Sequence, residues 1–145
     1  MENKMKQAPG LGNVFTRMEN CKNPWQGTRK RVLCVCSAGL LRSPTAAALL
    51  IAEWGYNARA CGIEPGYALI PIDEVLVRWA DFVVCMDKRQ EGAVKHFDKD
   101  KKIYCLGIAD AFGYMEPEIE RVMRDRLTAE LGPPIQTPGR VKRGQ

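Results

Sequence analysis

The sequence predicts a three-layer α/β/α domain around a four-stranded parallel sheet. Three observations predict this fold: short apolar strands alternate with helical segments, the helical segments carry apolar residues at 3.6-residue spacing, and Gly or Pro residues separate the elements. Strands that alternate with helices run parallel, because each helix returns the chain across a face of the sheet. In such sheets the ligand site lies at the carboxyl ends of the strands.

Each element is assigned from its local pattern. The run 31–36 is apolar enough to predict a buried first strand. Ser43 is a favourable N-cap for the first helix, Pro44 suits its first position, and Gly55 ends it. The second helix has apolar residues at i, i+3, i+4, i+7 and i+8 from Ile72. The predicted strands are 31–36, 56–60, 81–86 and 102–106, and the predicted helices are 43–54, 72–80, 88–97 and one that begins at Pro117.

The composition is that of one soluble globular domain. The chain has 145 residues, of which 46% are hydrophobic and 27% are charged, and its formal net charge is +5. The longest apolar run, residues 46–52, is too short for a membrane span, and the N-terminus has no apolar signal segment. We therefore expect a cytoplasmic protein without a membrane partner, and we expect its cysteines to be free thiols.

The folded unit is expected over residues 31–131. Residues 1–30 are rich in Asn, Lys, Gly and Pro without a sustained period, and they predict a loose basic extension. Residues 132–145 contain Gly-Pro-Pro and Thr-Pro-Gly, and they predict a disordered tail. The basic flanks lack interleaved aromatic residues and any nucleic-acid-binding motif, so a nucleic-acid partner is not predicted.

The end of the first strand carries a motif of the form Cys-x5-Arg-Ser. Cys36 ends the strand, five residues turn back, and Arg42 and Ser43 open a helix. Backbone N–H groups of such a loop can point at one anion, and the positive end of the helix adds to that field. Arg42 supplies a planar fork for two phosphate oxygens. The predicted phosphate-binding loop comprises Ser37, Ala38, Gly39, Leu40, Leu41 and Arg42.

These surroundings predict that Cys36 is a nucleophile. Backbone N–H groups, a helix N-terminus and an arginine all favour a thiolate over a thiol. Ser43 is predicted both to cap the helix and to donate a hydrogen bond to the sulfur. The alternative is that Cys36 is only a buried structural residue before an ordinary helix. Arg42 would then lie at a helix N-terminus that is shielded from water, without a partner for its charge.

This motif, with the Pro-Thr-Ala that follows it, resembles the low-molecular-weight protein tyrosine phosphatases, and most closely a compact branch described as predicted protein tyrosine phosphatases. The resemblance extends over residues 31–127, and it includes residues 79–87 at the third strand and 108–118 after the fourth. It implies the strand order 2-1-3-4. It also implies hydrolysis of a phosphate monoester in two steps through a phosphocysteine at Cys36, with no metal and no cofactor.

The resemblance further implies a general acid and a substrate class. Asp110 matches the acid of the family, and Glu116 is the alternative acid. Phe112 and Tyr114 would flank the ring of a phosphotyrosine, and Leu40 favours an aryl phosphate. The expected partner is thus a phosphotyrosine protein or a small aryl phosphate. Two positions depart from the family pattern, because Gly39 replaces a bracing Asn and Ala111 replaces a stiffening Pro or Asp.

Other interpretations remain open at this point. An arsenate reductase shares the fold and needs a thiol shuttle; Cys85 lies near the place of one such thiol, but residues 86–104 contain no cysteine. A phosphate-binding module without turnover is compatible with Gly39 and Ala111. Cys61 could be a redox partner of Cys36 or a small core residue. A metal site is not expected, because His96 is the single histidine and no Cys-x-x-Cys pair occurs.

Overall fold

A computed structural model of the chain describes residues 29–37, 42–64, 68, 70–108 and 117–135. Four parallel strands form one sheet in the order β2-β1-β3-β4, which confirms the predicted sheet. They are β1 (Arg31–Cys36), β2 (Asn57–Gly62), β3 (Phe82–Cys85) and β4 (Ile103–Cys105). The helices are α1 (Arg42–Leu49), which continues as a π-helical turn (Leu50–Trp54), α2 (Glu74–Trp79), α3 (Arg89–Phe97) and α4 (Pro117–Leu131).

Several boundaries differ from the predicted ones. Helix α1 begins at Arg42, so Ser43 lies inside its first turn and is not the N-cap that the sequence predicted. The same helix widens into a π-helical turn that the apolar pattern did not indicate. Gly55 ends this turn as predicted, with a φ of 73° that a residue without Cβ adopts at no steric cost. Strand β2 continues to Gly62, because its last residues pair with the end of β1.

The central strand β1 separates two hydrophobic clusters. Val32, Cys34 and Cys36 belong to the cluster that includes the buried residues of α1 and α4. Leu33 and Val35 belong to the cluster that includes the buried residues of α2 and α3. Successive side chains of a strand point to opposite faces, so the two clusters are the two interfaces of a three-layer α/β/α domain. Residues 32–36 are all buried, which fixes the strand that carries Cys36.

A buried ion pair ties α4 to the π-helical turn. Both carboxylate oxygens of Glu53 accept hydrogen bonds from the guanidinium of Arg124, each at 2.8 Å. Glu53 is only 4% exposed, and Arg124 is the bidentate partner that compensates its buried carboxylate. Hydrogen bonds from Arg124 to Glu53 raise the pKa of the arginine above its ordinary value. The pair therefore holds α4 against the helical layer that follows the Cys-x5-Arg motif.

None of the helices in the described part of the chain has the length and hydropathy of a membrane span.

Candidate active site

Cys36 and Ser43 meet at the carboxyl end of β1. The sulfur of Cys36 lies 3.1 Å from the hydroxyl oxygen of Ser43, and both side chains are buried. The Ser43 hydroxyl also donates to the carbonyl oxygen of Cys61 at 3.2 Å. A hydroxyl has one proton, so a thiol at Cys36 can donate to Ser43, whereas a thiolate requires the hydroxyl to turn toward the sulfur. Ser43 can therefore form a hydrogen bond with either the thiol or the thiolate of Cys36.

Arg42 places a buried positive charge beside this cysteine loop. The residue is 1% exposed, and its Nη1 atom donates to the carbonyl oxygen of Ile108 at 2.6 Å. The same atom lies 3.6 Å from Oδ2 of Asp87. Since Asp87 follows β3 and Ile108 follows β4, two neighbouring strands fix the guanidinium that the motif supplies. The carboxylate of Asp87 and the carbonyl of Ile108 thereby compensate its buried charge.

Asp87 is a carboxylate that keeps its charge. Arg89 donates to both oxygens of Asp87, from Nε at 3.2 Å and from Nη2 at 3.0 Å. These hydrogen bonds hold the pKa of the Asp87 carboxyl below its ordinary value of 3.8, and the charges of Arg89 and Arg42 act in the same direction. Asp87 is therefore ionised at neutral pH. It can orient the two arginines, but it has no proton to give to a leaving group.

The first residue after Cys36 is held by two neighbouring segments. The carbonyl oxygen of Ser37 accepts from the backbone N–H of Glu64 at 2.8 Å. Its hydroxyl oxygen accepts from Nε2 of the buried Gln90 at 3.4 Å. The backbone carbonyl of Cys36 accepts from Ile63 at 3.1 Å. The loop thus leaves β1 in a fixed direction, set by the segment after β2 and by the start of α3.

No protein-family model and no curated protein matches the chain. Three solved structures that resemble it are the tyrosine phosphatase AmsI of Erwinia amylovora, the YwlE arginine phosphatase of Geobacillus stearothermophilus and the tyrosine phosphatase Wzb of Escherichia coli K30 in complex with sulphate. Their TM-scores are 0.54, 0.53 and 0.54, and their sequence identities are 18%, 24% and 11%. The alignments cover 68%, 70% and 71% of this chain and 89%, 92% and 96% of those chains.

At these identities the similarity shows a shared fold. The chain has the fold of the low-molecular-weight protein tyrosine phosphatases. The resemblance that the Cys-x5-Arg-Ser motif indicated is confirmed at this level, as are the α/β/α layers and the strand order. In this phosphatase fold, Cys36, Arg42 and Ser43 lie together at the carboxyl end of the central strand, where the sequence placed them.

Several predicted site residues of this phosphatase fold lie outside the described residues. They are the loop residues Ala38, Gly39, Leu40 and Leu41, the acid candidates Asp110 and Glu116, and the aromatic residues Phe112 and Tyr114. The described range 70–108 ends at Ile108, whose carbonyl oxygen accepts a hydrogen bond from Arg42.

Sequence reasoning missed Asp87 and Gln90. Both follow β3, so they lie at the strand ends where a parallel sheet binds ligands, and that position was the available signal. Gln90 lies in the first turn of α3 and is wholly buried. Only the adjacency of β3 and β1 brings its amide to the cysteine loop.

The other described thiols differ from Cys36 in their surroundings. Burial is the main cause that raises the pKa values of Cys34, Cys61 and Cys85, and that of Cys85 rises to about 12. Cys61 packs in the cluster of Val35, on the sheet face opposite to that of Cys36. These thiols are protonated at neutral pH and are poor nucleophiles. Within the described ranges, no three His, Cys, Asp or Glu side chains are grouped so that they could hold a metal ion.

Proposed function

We propose that the protein is a cysteine-dependent phosphomonoester hydrolase, and specifically a protein tyrosine phosphatase. The observation that carries this proposal is the contact of the Cys36 sulfur with the Ser43 hydroxyl, next to a buried Arg42 that β3 and β4 hold in place. A nucleophilic sulfur, a hydroxyl that can stabilise its anion and a fixed guanidinium are the groups that attack on a phosphate monoester requires.

The reaction would proceed in two displacements. The Cys36 thiolate attacks phosphorus in line; the S–P bond forms as the bond to the leaving oxygen breaks. Arg42 and the N–H groups of the loop stabilise the charge on the three equatorial oxygens. A carboxylic acid protonates the leaving oxygen, and the resulting carboxylate then takes a proton from the water that hydrolyses the phosphocysteine. Inorganic phosphate and the free thiolate are the products.

We assign the acid to Asp110. Two facts about the described residues support this assignment: Asp87 is held as a carboxylate by Arg89, and Arg42 contacts Ile108, two residues before Asp110. Both facts favour an acid from the segment that follows Ile108 over Asp87. Glu116 is the alternative acid, and it lies six residues farther along the chain.

The substrate is proposed to be a phosphotyrosine protein or a small aryl phosphate. Leu40 would give the loop an apolar contact for an aromatic ring, and Phe112 and Tyr114 would flank that ring. Solved structures of the same fold include tyrosine phosphatases and an arginine phosphatase, so phosphoarginine is the comparison substrate. A phosphotyrosine peptide should be hydrolysed faster than a phosphoarginine peptide of the same sequence.

The decisive experiment is hydrolysis of p-nitrophenyl phosphate in EDTA. We expect turnover by the wild type, none by Cys36→Ser, and a strong reduction by Asp110→Asn, with Glu116→Gln as the matched carboxyl control. Activity in Asp110→Asn equal to that of the wild type would move the acid role to Glu116. A wild type that binds phosphopeptides without turnover would instead favour a phosphate-binding module.

No observation favours an arsenate reductase. Cys85, the thiol nearest in sequence position to a shuttle cysteine, is buried, and its pKa is raised to about 12. Its register partner on β4 is Cys105, which the spacing of cysteines in the sequence did not reveal. Thiol-coupled reduction of arsenate by the wild type, lost in Cys85→Ser, would overturn this choice.

A further inference from the structure

The start of α3 contacts both ends of the phosphate-binding loop. Gln90, in the first turn of this helix, donates from Nε2 to the hydroxyl of Ser37 at the first loop position. Asp87, just before the helix, lies 3.6 Å from the guanidinium of Arg42 at the last loop position. Gln90 and Asp87 are themselves joined, because Oε1 of Gln90 accepts from the backbone N–H of Asp87 at 2.8 Å. One short segment after β3 therefore links the two ends of the loop.

The burial of Gln90 gives this contact its significance. The residue is 0% exposed, and an amide side chain in that position is costly unless its polar atoms are bonded. Both ends of this amide are used, one on Asp87 and one on Ser37. A leucine would fill the same space without the cost, so packing alone does not explain a glutamine here.

The sequence of the loop gives a further reason why a hydrogen bond from a neighbouring element is needed. Ala38 and Gly39 follow Ser37, and neither has a side chain that can hydrogen-bond across the loop. The hydroxyl of Ser37 is the first polar side chain of the loop, and Gln90 reaches it from a neighbouring element. Since Ala38 and Gly39 supply no side-chain hydrogen bond, a contact from a neighbouring element matters more for the shape of the loop.

We propose that Gln90 is a positioning residue that holds the phosphate-binding loop through Ser37. The proposal rests on the proposed phosphatase function, because it assigns Gln90 a role in the binding of the phosphate group. Gln90 does not itself touch the substrate. It holds Ser37, the residue from which the loop continues toward Arg42.

The test compares Gln90→Leu with Val94→Ala, a matched variant of another buried residue of α3. Gln90→Leu should raise both the KM for p-nitrophenyl phosphate and the inhibition constant of inorganic phosphate about fivefold, the factor expected for one lost hydrogen bond. Val94→Ala should lower the melting temperature without changing either constant. In a Ser37→Ala background, Gln90→Leu should have little further effect, because the contact is already lost.

Binding of inorganic phosphate, measured by calorimetry, separates this proposal from the function. Unchanged constants in Gln90→Leu, or additive effects of Gln90→Leu and Ser37→Ala, overturn the positioning role and leave the phosphatase intact. A wild type that binds phosphate but does not hydrolyse the aryl phosphate overturns the proposed phosphatase function. Weaker phosphate binding by Gln90→Leu would then still support the positioning role of Gln90. A wild type that does neither overturns both.

Discussion

The hydroxyl oxygen of Ser43 lies 3.1 Å from the sulfur of Cys36, and it also donates to the backbone carbonyl of Cys61 at 3.2 Å. One side chain thus connects the first turn of α1 with the ends of β1 and β2. Because the hydroxyl carries a single proton, it can stabilise a thiolate only by giving up the carbonyl of Cys61. The backbone around Cys61 is held by strand pairing with β1, so the exchange needs no movement of the chain.

Ser43→Ala should therefore lower kcat/KM for p-nitrophenyl phosphate by about tenfold to a hundredfold, the range for a hydrogen bond to a charged group. The rate at which iodoacetamide alkylates Cys36 at neutral pH should fall in parallel. Thr128→Ala is the matched control, because it removes a hydroxyl that bonds only within α4, to the carbonyl of Arg124 at 2.8 Å. Equal losses in both variants would mean that the Ser43 hydroxyl serves the fold and not the sulfur.

Asp87 should make stability depend on pH in the acid range. Its pKa is lowered from 3.8 in the folded protein, chiefly by the hydrogen bonds from Arg89. A carboxyl group whose pKa is lowered on folding contributes stability above its unfolded pKa, and the contribution is lost as the pH falls through the folded value. The difference in unfolding free energy between wild type and Asp87→Asn should be constant above about pH 5 and shrink below about pH 4.

Urea denaturation at a series of pH values measures this difference. Arg89→Met should flatten the acid profile only part of the way toward that of Asp87→Asn, because it removes the side-chain donors to Asp87 but leaves the backbone N–H of residue 89 and the charge of Arg42. If both variants lost unfolding free energy between about pH 5 and pH 3 as steeply as the wild type, protonation of Asp87 would not be a cause of that loss.

The local part of the site was predictable from the sequence. Cys36, Arg42 and Ser43 lie within eight consecutive positions between a strand and a helix, so their proximity follows from chain connectivity. The alternation of strands and helices likewise predicted the layers of the sheet. The role of Ser43 as N-cap was wrong, because α1 begins at Arg42 and the hydroxyl bonds to the sulfur and to Cys61 instead.

The distant contacts were not predictable from local patterns. Asp87, Gln90 and Ile108 reach the loop because β3 lies beside β1 and β4 lies beside β3. A helix-period pattern shows which residues share a face, but it does not show that a glutamine near a helix start is buried against another strand end. The π-helical turn at 50–54 was not predictable either, because the spacing of its apolar residues does not differ visibly from that of an α-helix.

The buried pair of Glu53 and Arg124 should be a major determinant of stability. Glu53→Gln is expected to lower the free energy of unfolding by about 2–3 kcal/mol, because it leaves a partly buried arginine with a weaker partner. The matched control is Glu118→Gln, whose ion pair with Arg121 at 3.5 Å is exposed and is worth less than about 0.5 kcal/mol. Urea denaturation at neutral pH measures both. Similar losses in the two variants would show that burial does not set the strength of the Glu53 pair.

Arg126 should influence turnover from outside the site. Its Nη1 atom donates to the carbonyl oxygens of Leu106 at 2.5 Å and Gly107 at 3.1 Å, immediately before the residue that contacts Arg42. Arg126→Met retains the apolar stem but loses both bonds, so kcat for p-nitrophenyl phosphate should fall about threefold to tenfold. Arg126→Lys keeps a cationic donor and should recover part of the loss. If the methionine variant turned over at the wild-type rate, the segment after β4 would not depend on this anchor.

Three of the described cysteines, Cys34, Cys36 and Cys61, should react in an order set by their surroundings. Burial raises the pKa of Cys34 and Cys61, so these thiols should resist iodoacetamide in the native protein, whereas Cys36 beside Ser43 should react first. Inorganic phosphate should protect Cys36, because the anion and the reagent compete for one loop. Mass spectrometry of tryptic peptides identifies each modified residue, and Cys61→Ser should leave the rate at Cys36 unchanged.

The same peptides after brief treatment with hydrogen peroxide test the redox role of Cys61. Since Cys61 and Cys36 belong to clusters on opposite faces of the sheet, we expect no disulfide between them, and its formation would show that Cys61 protects the nucleophile rather than fills the core.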